Sequence, residues 1–120
     1  MMVGVDLVEV GRIRDAASRF GDRFLKRVFT RRELEYCMGR RDPYPHLAAR
    51  WAAKEAFVKA LGTGFARGIK WKDVELLPGG DRPYLVLGGR ASELLGERRA
   101  EVSISHTDSY AVAVVLIFPR

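Results

Sequence analysis

The stretch from His46 to Leu61 constrains the fold most. There Ala53, Ala56, Phe57, Ala60 and Leu61 recur at i, i+3, i+4, i+7 and i+8, which predicts one long helix with an apolar stripe. Gly62 suits its C-cap, and Pro43 and Pro45 ahead of it predict a loop. At the N-terminus Val3, Val5 and Leu7 alternate with Gly4, Asp6 and Val8 at the period of a strand, until Gly11 breaks the pattern. Ile13, Ala16, Ala17 and Phe20 then recur at helical spacing from Arg12 to Phe20, Gly21 ends that run, and a short second helix reaches about Val28. Thr30 followed by Glu33 reads as a capping box opening a third helix through Tyr36. Beyond the long helix, Trp71 to Leu77 and Pro83 to Leu87 predict a hairpin, and Ala91 to Leu95 a short helix. Val102 to Thr107 and Tyr110 to Phe118 predict a second hairpin around Asp108 and Ser109. The order strand, helices, hairpin, helix, hairpin predicts an α+β fold over residues 1–120 as a single domain, with helices packed on one side of a mainly antiparallel sheet. The last strand is apolar on both faces, so it belongs at the sheet centre or at a subunit interface.

Composition narrows the class. A chain of 120 residues with 48% hydrophobic content can bury a core without disulfides. Cys37 stands alone and points to a reducing compartment. Met1 to Val10 lacks a basic region and a cleavage-type ending, and the longest apolar run, Tyr110 to Phe118, is nine residues, about half of a membrane span. The expectation is a soluble, cytoplasmic protein with no membrane partner. Charge is localised: between Arg12 and Arg32 eight basic residues face two acids, whereas elsewhere 13 basic residues are matched by 13 acids. The net +6 therefore belongs to one segment and selects for an acidic partner, unless it is only a solvated helical face.

Taken alone, Glu55 and Lys59 on the long helix read as an ordinary i,i+4 ion pair, and Asp6 as a solvent-facing residue on a half-exposed strand. Taken together, Asp6 and Glu55 bring one carboxylate from a strand and one from a helix packed on it. That is what a magnesium site around a phosphate substrate needs: Mg²⁺ takes hard oxygen ligands, often one or two carboxylates, and completes its shell with water and phosphate oxygens. Lys54, Lys59 and the Gly62-Thr63-Gly64 turn predict a phosphate cradle beside them, with the lysines supplying charge and the turn free backbone N–H groups. The turn follows a helix C-terminus, whose dipole opposes anions by up to about 1 kcal/mol, so lysines and a metal must outweigh it. There is no Walker motif, no His/Cys cluster for zinc and no Gly-x-Ser-x-Gly elbow.

Three runs carry a resemblance: GVDLVEVGRI (Gly4 to Ile13), RWAAKEAFVKALGTG (Arg50 to Gly64) and SISHTDSYAVAVV (Ser103 to Val115). In this order, and over almost the whole chain, they resemble the holo-acyl carrier protein synthases, the short bacterial phosphopantetheinyl transferases. The resemblance implies that Asp6 and Glu55 are magnesium ligands, and that Lys59 and Gly62 to Gly64 contact the phosphates of coenzyme A. It also implies that Arg50, Pro83, His106 and Thr107 help hold the nucleotide end. The basic helix with Arg12, Arg14, Arg19 and Arg23 matches the surface that grips the acidic recognition helix of apo-acyl carrier protein. The implied assembly is a homotrimer with active sites between subunits. The implied reaction is attack of a carrier serine on the phosphorus nearest pantetheine, releasing adenosine 3′,5′-bisphosphate, in support of fatty acid biosynthesis. Positioning and electrostatics carry most of such catalysis. The residues leave the serine's base open among a metal-bound water, Glu33 and Glu35. Trp51 stands where many relatives have Phe, which keeps the aromatic bulk.

Two other readings compete. A nucleic-acid module would use the Arg12–Arg32 charge but gives Asp6 and Glu55 no role, and Phe20, Phe24 and Phe29 read as core positions rather than a stacking platform. A regulatory domain that binds coenzyme A without turnover shares every motif and is separated only by assay.

Overall fold

The computed structural model describes all 120 residues. The chain runs β1 (Met2–Glu9), α1 (Val10–Phe20), α2 (Asp22–Val28), α3 (Arg31–Met38), α4 (Pro43–Leu61), a 3₁₀ turn (Trp71–Asp73), β2 (Val74–Leu77), β3 (Tyr84–Leu87), α5 (Gly89–Leu95), β4 (Arg99–His106) and β5 (Tyr110–Phe118). β1, β5 and β4 form an antiparallel sheet with β5 in the centre, while β2 and β3 pair as a separate antiparallel hairpin. The α+β expectation and the central place of the last strand are both met.

Helix α4 organises the molecule. It lies across one face of the three-stranded sheet against Val8, Ala111, Ala113, Val115 and Ile117, with α1, α3 and β2 packed around it. Twelve of its 19 residues are buried, so the expected single stripe is instead burial nearly all round, as befits a helix with neighbours on every side. It also begins earlier than expected. Pro43 occupies the first turn, where a missing N–H costs nothing, and Asp42 caps the helix by accepting from the Tyr44 N–H at 3.1 Å. The two prolines therefore open the helix rather than mark a loop.

The Thr30–Glu33 capping box forms with both reciprocal bonds, and β1 runs directly into α1 at Val10. Trp71 falls in the 3₁₀ turn rather than in a strand. Phe29 is core and Phe24 packs against it, but Phe20 is 59% exposed, a departure from its expected core role.

Close packing of α4 on β1 depends on Gly4. A Cβ there would lie 2.0 Å from the Ala56 carbonyl oxygen and 2.6 Å from the Ala60 nitrogen. Without a side chain at that point, the helix backbone settles directly on the strand. Side chains alternate along a strand, so Gly4, Asp6 and Val8 share the helix-facing side, while Val3, Val5 and Leu7 face away and are exposed.

Candidate active site

The same packing brings Asp6, Glu55 and Lys59 together. Asp6 points toward α4 one strand repeat beyond Gly4 and is half-buried, not solvent-facing. Lys59 Nζ lies 2.9 Å from Asp6 Oδ1 and donates to the Val5 carbonyl at 3.2 Å. The ordinary helix pair with Glu55 is not formed: Lys59 reaches across to the strand instead. Its ammonium is held above the usual lysine range, chiefly by the hydrogen bond to Asp6.

Glu55 makes no ion pair, and its carboxyl is pushed above the ordinary glutamate value, first by burial and then by the Asp6 charge, against the opposing pull of Lys59 and Arg12. Two carboxylates thus face one region with too little positive charge between them. No third His, Cys, Asp or Glu joins them. Such a donor set fits a hard divalent cation whose remaining ligands come from water and phosphate oxygens.

Lys54 is corrected. It is fully buried, paired with Glu33 Oε1 at 2.8 Å, and donates to the carbonyls of Trp71 and Val74. Burial pushes its ammonium down despite Glu33. It cannot reach a phosphate at the surface; it ties α4 to α3 and to the start of β2. Glu33 is fully buried too, accepting from Thr30 N and, through Oε2, from Leu76 N at 2.9 Å, which removes it as the serine's base. Glu35 is ion-paired with Arg31 on the exposed face of α3.

The turn after α4 also departs from expectation. Gly62 adopts the left-handed conformation at φ 81°, and the N–H groups of Gly62, Thr63 and Gly64 all donate to the carbonyl of Val58. They close the helix end and are not free for an anion. What the turn keeps at the surface is the exposed backbone at Gly62 and Gly64.

A second group lies at the other end of α4. A cleft of about 580 Å³ is lined by Arg40, Arg41, Asp42, Pro45, His46, His106 and Asp108. The His46 and His106 rings stand edge to face at 4.9 Å. His46 is held below the ordinary histidine value by burial, then by His106, Arg50 and Arg40. Arg50 is buried, lies over the Tyr36 ring at 4.6 Å, and has an unpartnered Nε. Thr107 caps the β4–β5 turn, its hydroxyl accepting from Ser109 N and Tyr110 N. His46 and Glu55 are nine residues apart on α4, about 14 Å along the axis. The His46–His106 cleft therefore stands apart from the carboxylates along α4, while Arg50, five residues from Glu55, lies between them. Pro83 lies on the β2–β3 hairpin just before β3. Sequence reasoning missed Arg40, Arg41 and His46. The adjacent arginines beside the two prolines were the available signal.

Of the expected partner-binding arginines, Arg12, Arg19 and Arg23 are exposed, whereas Arg14 is half-engaged with Asp42 at 3.1 Å and lies over the Tyr44 ring. Cys37 is fully buried and its thiol is pushed up to about 11, so no thiol nucleophile is available.

The family model for the 4'-phosphopantetheinyl transferase superfamily matches residues 2–115, and the chain belongs to that superfamily. It is 49% identical over 119 residues to the holo-[acyl-carrier-protein] synthase of Koribacter versatilis, covering 95% of this chain and 94% of that one. It is 45% identical to the enzyme of that name from Chlamydia caviae over 95% of this chain and 93% of the other. Among solved structures, the Helicobacter pylori holo-[acyl-carrier-protein] synthase in complex with coenzyme A superposes with a TM-score of 0.85 at 28% identity, over 97% of this chain and 99% of that one. The Chronobacterium ammoniagenes ACPS–CoA complex gives 0.84 at 33% identity, over 99% and 98%.

Proposed function

We propose that this chain transfers the 4′-phosphopantetheine arm of coenzyme A to a serine of apo-acyl carrier protein, releasing adenosine 3′,5′-bisphosphate, and so supports fatty acid biosynthesis. The observation that carries this reading is the meeting of Asp6, Lys59 and the unpaired Glu55 at one place on the β1–α4 contact. These two carboxylates would hold Mg²⁺, which when bound neutralises charge on the pyrophosphate. Lys59, half-exposed and firmly protonated, would contact a phosphate oxygen once its hold on Asp6 is relaxed. Arg12 adds positive potential beside Glu55. The residues position the reacting groups and stabilise charge, and no protein nucleophile is required.

Arg50, His106 and Thr107, with Pro83, are assigned to the nucleotide end. The placing of His106 beside His46, about 14 Å along α4 from Glu55, supports a site shared between subunits of a homotrimer. So does the outer sheet face, where Val3, Val5 and Leu7 are 63%, 54% and 65% exposed beside Val114 at 37%. No helix is long and apolar enough to cross a membrane, in keeping with a cytoplasmic enzyme. The test is to incubate the protein with apo-carrier, coenzyme A and Mg²⁺ and to weigh the carrier: the added mass of the arm is expected. An unmodified carrier with coenzyme A still bound would favour the regulatory reading. Sedimentation at micromolar concentration should give a trimer, and a fully active monomer would overturn the shared site.

A further inference from the structure

The strongest feature outside the catalytic group is a cleft of about 520 Å³ on the far side of α2, with Lys26, Arg27, Lys70 and Lys72 around it and Phe65 and Trp71 inside it. No carboxylate lines it. Lys70 and Lys72 come from the connection after α4, a segment outside the basic Arg12–Arg32 run, and the fold places them beside Lys26 and Arg27. Two smaller clefts adjoin it, one sharing Arg27 and holding Phe20, Arg23 and Phe24, the other sharing Lys26 and Lys72.

The floor is a row of aromatic rings. Phe65 stacks on Trp71 at 3.9 Å, Trp71 lies 4.3 Å from Trp51, and Trp51 lies 6.1 Å from Phe24. Trp51 is four residues before Glu55, one turn away on the same face of α4. The row therefore starts about 6 Å along the helix from Glu55, at Trp51, and ends in the cationic cleft at Phe65.

We propose that the cleft lined by Lys70, Lys72, Phe65 and Trp71 is a second docking point for the apo-carrier, taking a segment that presents carboxylates around an apolar side chain. This rests on the transfer reading above. Charge complementarity selects the sign of the partner, the aromatic floor selects an apolar anchor between its acids, and the row's start at Trp51, one helix turn from Glu55, lets one partner engage both places at once. The cations at the rim steer, and the buried anchor holds.

The test compares wild type with Lys70→Glu/Lys72→Glu, both exposed positions, and with Phe65→Ala, in the transfer reaction with apo-carrier. The charge-reversed variant should raise the KM for carrier roughly tenfold and flatten its dependence on salt, while the KM for coenzyme A moves less than twofold. Phe65→Ala should raise the carrier KM with the salt dependence kept. A folded charge-reversed variant with an unmoved carrier KM overturns the proposal while leaving the transfer reading intact; a wild-type protein that modifies no carrier overturns the transfer reading itself. Binding of wild type to phosphatidylglycerol vesicles through Lys70 and Lys72, with no change in carrier KM, would assign the surface to a membrane and equally overturn it.

Discussion

Lys59 lies 2.9 Å from Asp6 and leaves Glu55, its neighbour one turn back on the same helix, without a partner. Three charged groups share one place on the β1–α4 contact, and only one of them is positive. A divalent cation would supply the missing charge, and Lys59 would then be released toward an incoming phosphate.

Asp6→Ala or Glu55→Ala should therefore reduce transfer by several orders of magnitude while the thermal midpoint stays within a few degrees of wild type. Each variant removes one of the two carboxylates proposed to hold the metal, from a half-exposed site. Calorimetric titration with Mg²⁺ and coenzyme A checks the cause, since binding of the metal should be lost in both. Substantial turnover in both variants at ordinary magnesium would sink the assignment.

The raised Glu55 carboxyl gives a pH signature in the metal-free protein. Burial and the Asp6 charge favour its protonated form. Its folded value thus lies above the ordinary 4.5, and the stability it contributes is complete below about that pH and lost as pH rises through the folded value. Glu55→Gln removes that loss, so its thermal midpoint should exceed that of wild type at neutral pH without divalent cations, and the gap should close on acidification toward pH 4.5. Carboxyl NMR adds a second check. Asp6→Asn should bring the Glu55 titration down, because a repelling charge goes and Lys59 is freed to turn toward Glu55. An unmoved Glu55 titration would mean that the two carboxylates do not share a field.

Gly4 makes that field through backbone contact alone. Gly4→Ala would set a methyl against the Ala56 carbonyl, and the helix must move off the strand. Overpacking of this kind costs about 1–3 kcal/mol, and because the shift separates Asp6 from Glu55, activity should fall further than the lost stability explains. Denaturant unfolding beside kcat at a temperature where the variant is fully folded would show the split. A variant as active as wild type would mean that α4 has slack over β1.

How far the sequence announced this arrangement depends on the kind of signal. Periodicity located β1, α4 and the β4–β5 hairpin, because a strand or helix with one buried face writes its period into the chain. The Thr30–Glu33 box was legible because capping is a local matter of four residues. Lys54 was misread as a phosphate ligand for the opposite reason. Its burial comes from α3 and the 3₁₀ turn closing over α4, and its partner Glu33 is 21 residues away, so nothing near it in sequence marks it as interior. The Gly62–Gly64 turn was misread because a glycine turn that cradles an anion and one that closes a helix have the same composition. Only the Val58 carbonyl, already taking all three N–H groups, tells them apart. Gly4 carried the site and was passed over, since a glycine in a strand does not say which backbone approaches it.

The misreading of Lys54 can itself be tested. A fully buried ion pair that loses one member leaves an uncompensated charge, at a cost of about 3–5 kcal/mol. Lys54→Met should lower the thermal midpoint by more than ~10 °C, and any protein that remains folded should bind coenzyme A with near-normal affinity. Loss of coenzyme A affinity without loss of stability would restore Lys54 to the phosphate site.

Partner steering makes the last prediction, and the structure changes which arginines test it. Arg12 is exposed but pulls on the Glu55 carboxyl, so reversing its charge would disturb the cation site as well as the docking surface. Arg14 is tied to Asp42. Arg19 and Arg23 are exposed and make no ion pair, and Arg19 lies over the exposed Phe20 ring at 5.8 Å. Charges of this kind act mainly on encounter and are screened over about 10 Å at 0.1 M salt. Arg19→Glu with Arg23→Glu should therefore lower kcat/KM for the carrier by roughly one to two orders of magnitude at low salt, converge on wild type as salt is raised, and leave the KM for coenzyme A close to its original value. The convergence is the decisive part. A defect in packing or chemistry would persist at high salt, whereas lost steering disappears once the wild-type field is itself screened. Equal carrier kinetics at low salt would make the Arg12–Arg32 charge a solvated face with no part in recognition.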